Sequence, residues 1–135
     1  MKTSKGFTII ELLVVVAIIA VLTGIVLVNV TSYINKSKDA AIKGNLSTEL
    51  TNSAVYYDAN GNYTNFCASS GATVPEAAIG AAGGTAAHTC TATAACFCST
   101  LKVTSGDVFC VDTTGYKKET ANTCANACPA AGACV

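Results

Sequence analysis

One stretch limits what this chain can fold into. The 24 residues FTIIELLVVVAIIAVLTGIVLVNV, from Phe7 to Val30, hold a single charged side chain, Glu11. A helix of that length reaches ~36 Å, enough to cross a ~30 Å hydrocarbon layer with some tilt. A secretory signal peptide has a shorter apolar region, ~7–15 residues, closed by a small-residue cleavage site. The core from Leu12 to Leu22 fits that length, but Thr23-Gly24-Ile25-Val26 offers no Ala-x-Ala. Lys2 and Lys5 precede the span while Lys36, Lys38 and Lys43 follow it, so lysine counting does not orient it.

The remainder has a different character. Only 12% of the 135 residues are charged, about half the ~25% of an ordinary globular domain. Eight Lys, with no Arg, balance eight acids, so there is no basic face to attract nucleic acid. All eight Cys, Cys67, Cys90, Cys96, Cys98, Cys110, Cys124, Cys128 and Cys134, follow the apolar span. That density marks a disulfide scaffold. The sequence therefore joins an apolar N-terminus to a Cys-rich C-terminal part.

Glu11 is the anomaly within the span. A carboxylate among lipid-facing apolar residues is costly and marks a functional position by default. Its context, Lys5-Gly6-Phe7-Thr8-Ile9-Ile10-Glu11-Leu12-Leu13, resembles the processing site of a type IV prepilin. The resemblance implies a leader, Met1 to Gly6, removed by a dedicated prepilin peptidase between Gly6 and Phe7. It also implies N-methylation of the new terminus at Phe7. Glu11 then neutralises the amine of a neighbouring subunit when the helices pack into a filament core.

Beyond Val30 the apolar positions Ile34, Ile42, Leu46, Leu50, Ser53 and Tyr57 recur at three- or four-residue steps, or multiples of them, with Ala41, Ala54 and Val55 flanking. This is the stripe of an amphipathic helix. Lys36, Asp39, Lys43, Asn45, Ser47 and Glu49 are expected on its other faces, and Asp58-Ala-Asn-Gly-Asn62 is expected to stop it. Residues 58–95, rich in Ala, Gly and Thr, read as connecting loop with at most a short helical turn. Cys96–Val103 and Val108–Asp112 alternate with period two around a Ser105-Gly106 turn, and Thr114-Gly115 turns the chain again before Tyr116. They read as an antiparallel meander. Phe109-Cys-Val-Asp-Thr-Thr-Gly115 is similar to a hairpin of some bacterial pilins.

The expected organisation is thus a leader (1–6), a membrane or filament-core helix (7–30), its amphipathic continuation (31–57), a connecting region (58–95), and a sheet with a Cys-rich C-terminal loop (96–135). The fold class is α+β: the type IV pilin fold, a long helix on a small antiparallel sheet.

An even Cys count beyond the span implies an oxidising compartment and four disulfides, in a pairing the sequence does not specify. Cys96 and Cys98 share a strand face ~6.5 Å apart, which disfavours a bond between them. No metal or cofactor is expected. The paired Cys-x2-Cys of a zinc ribbon is absent, Asp58, Asn60 and Asn62 lack the Glu that closes a calcium loop, and His88 has no evident acidic partner. Asn29, Asn45 and Asn62 match the glycosylation triplet, weakly informative in a bacterial chain. No catalytic dyad, triad or nucleotide loop occurs, so no enzyme is expected.

The resemblance implies a structural subunit of a type IV pilus. Its partners are copies of itself, prepilin peptidase, the inner-membrane assembly machinery, and membrane lipid before assembly. Its location is the inner membrane as precursor, then the cell surface as filament. Two alternatives are a major pseudopilin of a type II secretion system and a membrane-anchored Cys-rich binding module.

Overall fold

The computed structural model describes Gly6–Val135, with the backbone alone at Val28. The expected leader, 1–6, lies outside the described residues except for Gly6. The chain divides into two compact units, one ending at Ile34 and one spanning Asn35–Val135.

The first unit holds the apolar turns of helix α1 (Ile9–Asn60), and every described side chain from Phe7 to Val30 is exposed. In the second unit the rest of α1 is followed by a 3-10 turn (Phe66–Ala68), helix α2 (Ser70–Ala82), four strands, β1 (Ala86–Cys90), β2 (Ala95–Thr100), β3 (Val108–Asp112) and β4 (Lys117–Thr120), and a single turn of helix, α3 (Cys124–Ala127). The strands form one antiparallel sheet in the order β1-β2-β3-β4. This is an α+β arrangement of a long N-terminal helix and a small antiparallel sheet.

The inward stripe of α1 is not quite the one the apolar pattern suggests. Asp39, Ile42, Leu46, Glu49 and Ser53 are the buried positions, at steps of three and four, while Ile34, Val55 and Tyr57 are exposed. Two acids expected on the polar faces therefore lie in the buried stripe. Each is there for a different reason. The Asp39 carboxylate accepts the backbone N–H groups of Lys102 (2.5 Å) and Val103 (3.0 Å), satisfying the loop after β2. Glu49 belongs to a polar cluster described below. Tyr57 lies instead against Tyr63, ring centroids 4.7 Å apart.

β2 is buried on both faces, and the period of two sorts its residues. Ala95 and Phe97, with Phe109 and Val111 of β3, join Ile42, Leu46, Phe66 and Ile79 in the core beneath the helices. Cys96 and Cys98, with Val108 and Cys110, face a second cluster closed by Ala127, Cys128 and Cys134 of the C-terminal segment. The cysteines thus replace aliphatic packing on the side of the sheet that no long helix covers.

The stretch 58–95, read as connecting loop, holds α2 and β1 instead. Ala, Gly and Thr carry little local preference, and Pro75 inside α2 argues against a helix because it cannot bond the carbonyl four residues earlier. That carbonyl, of Gly71, receives instead the side-chain amide of Asn52 on α1 at 2.9 Å. α2 buries Ala72, Pro75 and Ile79 and ends at Gly83, whose φ of +89° is left-handed. Gly84 then passes close to the core: a Cβ there would lie 2.6 Å from Ser99 Oγ and 3.0 Å from Ile42 Cδ1. β1 owes its form to pairing with β2, from Ala86 opposite Ser99 to Cys90 opposite Ala95. Replacing Asn52 with Ala strands the Gly71 carbonyl. The expected loss is about 1–2 kcal/mol, measurable by urea unfolding, with Asn52→Asp recovering none of it because a carboxylate has no hydrogen to donate.

Candidate functional site

The first candidate site is the start of α1. Thr8 precedes the first helical residue and Glu11 stands three positions on, the spacing of a capping box. The Thr8 N–H and hydroxyl donate to Glu11 Oε2 at 2.9 and 2.8 Å, and the Glu11 N–H lies 3.3 Å from Thr8 Oγ1. The Thr8 carbonyl accepts the Leu12 N–H at 3.2 Å. Threonine and glutamate thus satisfy donors at the helix start that have no intrahelical partner. The Thr-x-x-Glu spacing is itself legible in the sequence, and gives Glu11 a local role beside the assembly role that the resemblance implies. Oε1 of Glu11 has no hydrogen bond among the described residues. Gly6 and Phe7 lie just ahead of the helix, exposed.

Behind this cap comes an exposed apolar surface. Phe7, Ile9, Leu12, Val15, Ile19 and Leu22, with the other described large apolar side chains up to Val30, are about half or more exposed. α1 is the one helix among the described residues long and apolar enough to cross a membrane. Burying a side chain of this size is worth about 1.5–3 kcal/mol, so the surface calls for lipid or for other helices.

Residues 1–27 match the family described as the prokaryotic N-terminal methylation motif. The N-terminal segment carries that motif, with the Gly6-Phe7 junction and Glu11 inside it. Two curated relatives agree. The chain is 34% identical over 64 residues to the type IV wide pilus major component PilA4 of Thermus thermophilus, covering 47% of this chain and 49% of that protein. It is 43% identical over 51 residues to the type IV major alpha-pilin of Moraxella bovis, covering 38% of this chain and 32% of that one. The chain thus aligns with about half and about a third of the lengths of these relatives. No solved structure matches.

In the second unit, the head, the cysteines are placed as follows. Cys67 bonds to Cys90, tying the 3-10 turn to the end of β1. Cys98 bonds to its cross-strand partner Cys110, and Cys96 bonds to Cys128, fastening the C-terminal segment to the sheet. Cys124 and Cys134 remain thiols, one bridge fewer than the even count suggests. Burial pushes the Cys124 thiol up to about 11. Burial, with the Asp112 charge beside it, pushes Cys134 up to about 12. Neither is a thiolate at neutral pH, and neither is a ready nucleophile. Cys134 Sγ lies within 4.8 Å of the sulfurs of Cys96 and Cys128, a set whose other two members are spent on a disulfide.

Asp112 organises the end of the sheet. Its Oδ1 accepts the Thr114 N–H (2.8 Å), the Thr114 hydroxyl (2.7 Å) and the Tyr116 N–H (2.9 Å), fixing the turn into β4. Its Oδ2 accepts the Cys134 N–H at 2.7 Å. Burial alone raises its pKa, but the Thr114 hydroxyl and the Cys134, Tyr116 and Thr114 N–H groups outweigh it and hold the carboxyl below the usual aspartate value.

His88, expected to lack an acidic partner, is paired through Nδ1 with Glu76 Oε1. α2 carries the Glu and β1 the His, the two elements read as loop, which is why the pair was invisible. Glu49 of α1 completes the group: one ligand atom from each of Glu49, Glu76 and His88 lies within 4.8 Å of the others. Glu49 is 1% exposed, and its Oε1 has no hydrogen-bond partner among the described residues. Burial, with the Glu76 charge adding to it, pushes its carboxyl up to about 8.

Proposed function

We propose that this chain is a structural pilin subunit that polymerises into a type IV pilus. It enters the membrane through the apolar half of α1, is cut between Gly6 and Phe7 by prepilin peptidase, is N-methylated at Phe7, and is built into a filament by inner-membrane assembly machinery. The observation that carries the reading is the prepilin motif placed at the head of an exposed apolar helix. Glu11 supplies the charge that the new amine of a neighbouring subunit needs once both leave water. The role is mechanical, with copies of the same chain as principal partner, and the mature location is the cell surface.

The intact mass of protein from sheared filaments tests this directly. The expected species lacks residues 1–6, carries one methyl group on Phe7, and has six hydrogens fewer than the reduced chain, for three disulfides. Alkylation under denaturing, non-reducing conditions is expected to add two labels, on Cys124 and Cys134. An assembled filament whose subunits retain Met1 overturns the processing reading.

A further inference from the structure

The head contains a polar group to which the proposed filament role assigns no part. Glu49, Glu76 and His88 come from α1, α2 and β1, separated by 27 and 12 positions in sequence, yet their ligand atoms converge within 4.8 Å. Glu49 reaches this point from the buried stripe of α1, where an apolar residue would cost nothing. Its Oε1 is left without a partner, and an unpaired buried polar atom is a liability that native structures rarely leave without a reason. Glu76 and His88 remain partly open, with side chains 22% and 32% exposed. They line an open depression of about 670 Å³ together with Thr73, Ala77, Gly84, Thr85, Ala86 and Ala87. A small ion can therefore reach Glu76 and His88 from solvent.

We propose that Glu49, Glu76 and His88 bind one zinc-class divalent cation that clasps α2 and β1 onto α1. An imidazole nitrogen with two carboxylates suits zinc and its transition-metal neighbours, whereas calcium takes six to eight oxygens and magnesium keeps a shell of water. Zinc ligands at ~2.0–2.1 Å in a tetrahedron lie about 3.4 Å apart, a spacing inside the 4.8 Å within which the three ligand atoms already lie. Water from the depression completes the coordination. The ion gives the orphaned oxygen of Glu49 a partner. This inference stands apart from the pilus reading, because it concerns only the head.

The full-length chain, purified in detergent without chelator and desalted, tests it. The expected result is one equivalent of zinc retained in preference to calcium or magnesium, with a melting temperature about 5–10 °C above that of the EDTA-treated protein. Glu49→Gln, Glu76→Gln and His88→Gln each abolish retention and the shift, and cobalt substitution gives visible d–d bands without a thiolate charge-transfer band. The double variant Cys124→Ser/Cys134→Ser keeps the metal. His88→Gln changes a partly exposed side chain, so it stays informative if Glu49→Gln folds poorly. Retention of zinc in all three variants, retention of calcium alone, or no metal above background each overturns the proposal.

Discussion

Cells carrying Glu11→Gln are expected to hold normal amounts of the subunit in the membrane fraction yet yield almost no sheared filaments. In the proposed filament the amine of Phe7 is buried among apolar helices, and removing its counter-charge leaves a lone ion in a low-dielectric core. Yield is expected to fall by roughly two orders of magnitude or more. The Gln variant is the sharper test, because Gln at the third helical position can also complete a capping box. It removes the charge and spares the cap. Thr8→Val does the reverse: it deletes the hydroxyl that bonds Glu11, costs about 1 kcal/mol of helix stability, and is expected to leave filaments near normal. Normal piliation of Glu11→Gln, seen by electron microscopy of shear preparations, defeats the charge-pairing account. Failure of Thr8→Val alone transfers the role to the cap.

The second large effect belongs to Asp112. Asp112→Ala strands the donors of Thr114, Tyr116 and Cys134 at once, and the expected loss is about 3–5 kcal/mol, limited by water entering the turn. Asp112→Asn can still serve the turn through its carbonyl oxygen, but presents an amide N–H to the Cys134 N–H. A smaller loss of about 1–2 kcal/mol is expected, concentrated in the C-terminal segment. The pH dependence follows from the sign of the shift. The folded-state pKa of Asp112 lies below its ordinary value, so its contribution is full above the unfolded pKa near ~3.9 and fades as pH falls through the folded value. Thermal unfolding of the oxidised chain between neutral and strongly acidic pH is therefore expected to show a decline that Asp112→Asn flattens. An Asn variant with the same acid limb as the parent refutes the assignment.

What could be read from the sequence, and what could not, divides by physical range. The apolar span, the Gly6-Phe7 junction and the Glu11 offset are contiguous, and short-range order is enough to reveal them. The hairpin strands carry their own period of two. α2 does not announce itself, because Pro75 argues against a helix and the carbonyl it leaves free is taken by an amide from Asn52, 23 positions earlier. β1 exists because β2 lies beside it. Asp39 and Glu49 read as solvent-facing because a charged residue is rarely buried unless paired. Asp39 does find backbone donors, in a loop more than sixty residues away. The cluster at Glu49 spans three elements, two of them hidden for the reasons just given, so no sequence pattern could have assembled it.

The capping box bears on how a subunit could enter and leave the proposed filament. In the lone subunit one oxygen of Glu11 already closes the start of α1, while the other carries no hydrogen bond among the described residues. Within the proposed filament, the second oxygen can take the neighbour's amine while the first keeps its duty to the helix. Docking and release then need no unwinding. A subunit withdrawn into lipid, where an exposed backbone N–H is costly, arrives with its first turn already sealed. In the proposed filament, a subunit released to the membrane would therefore keep its leading end folded.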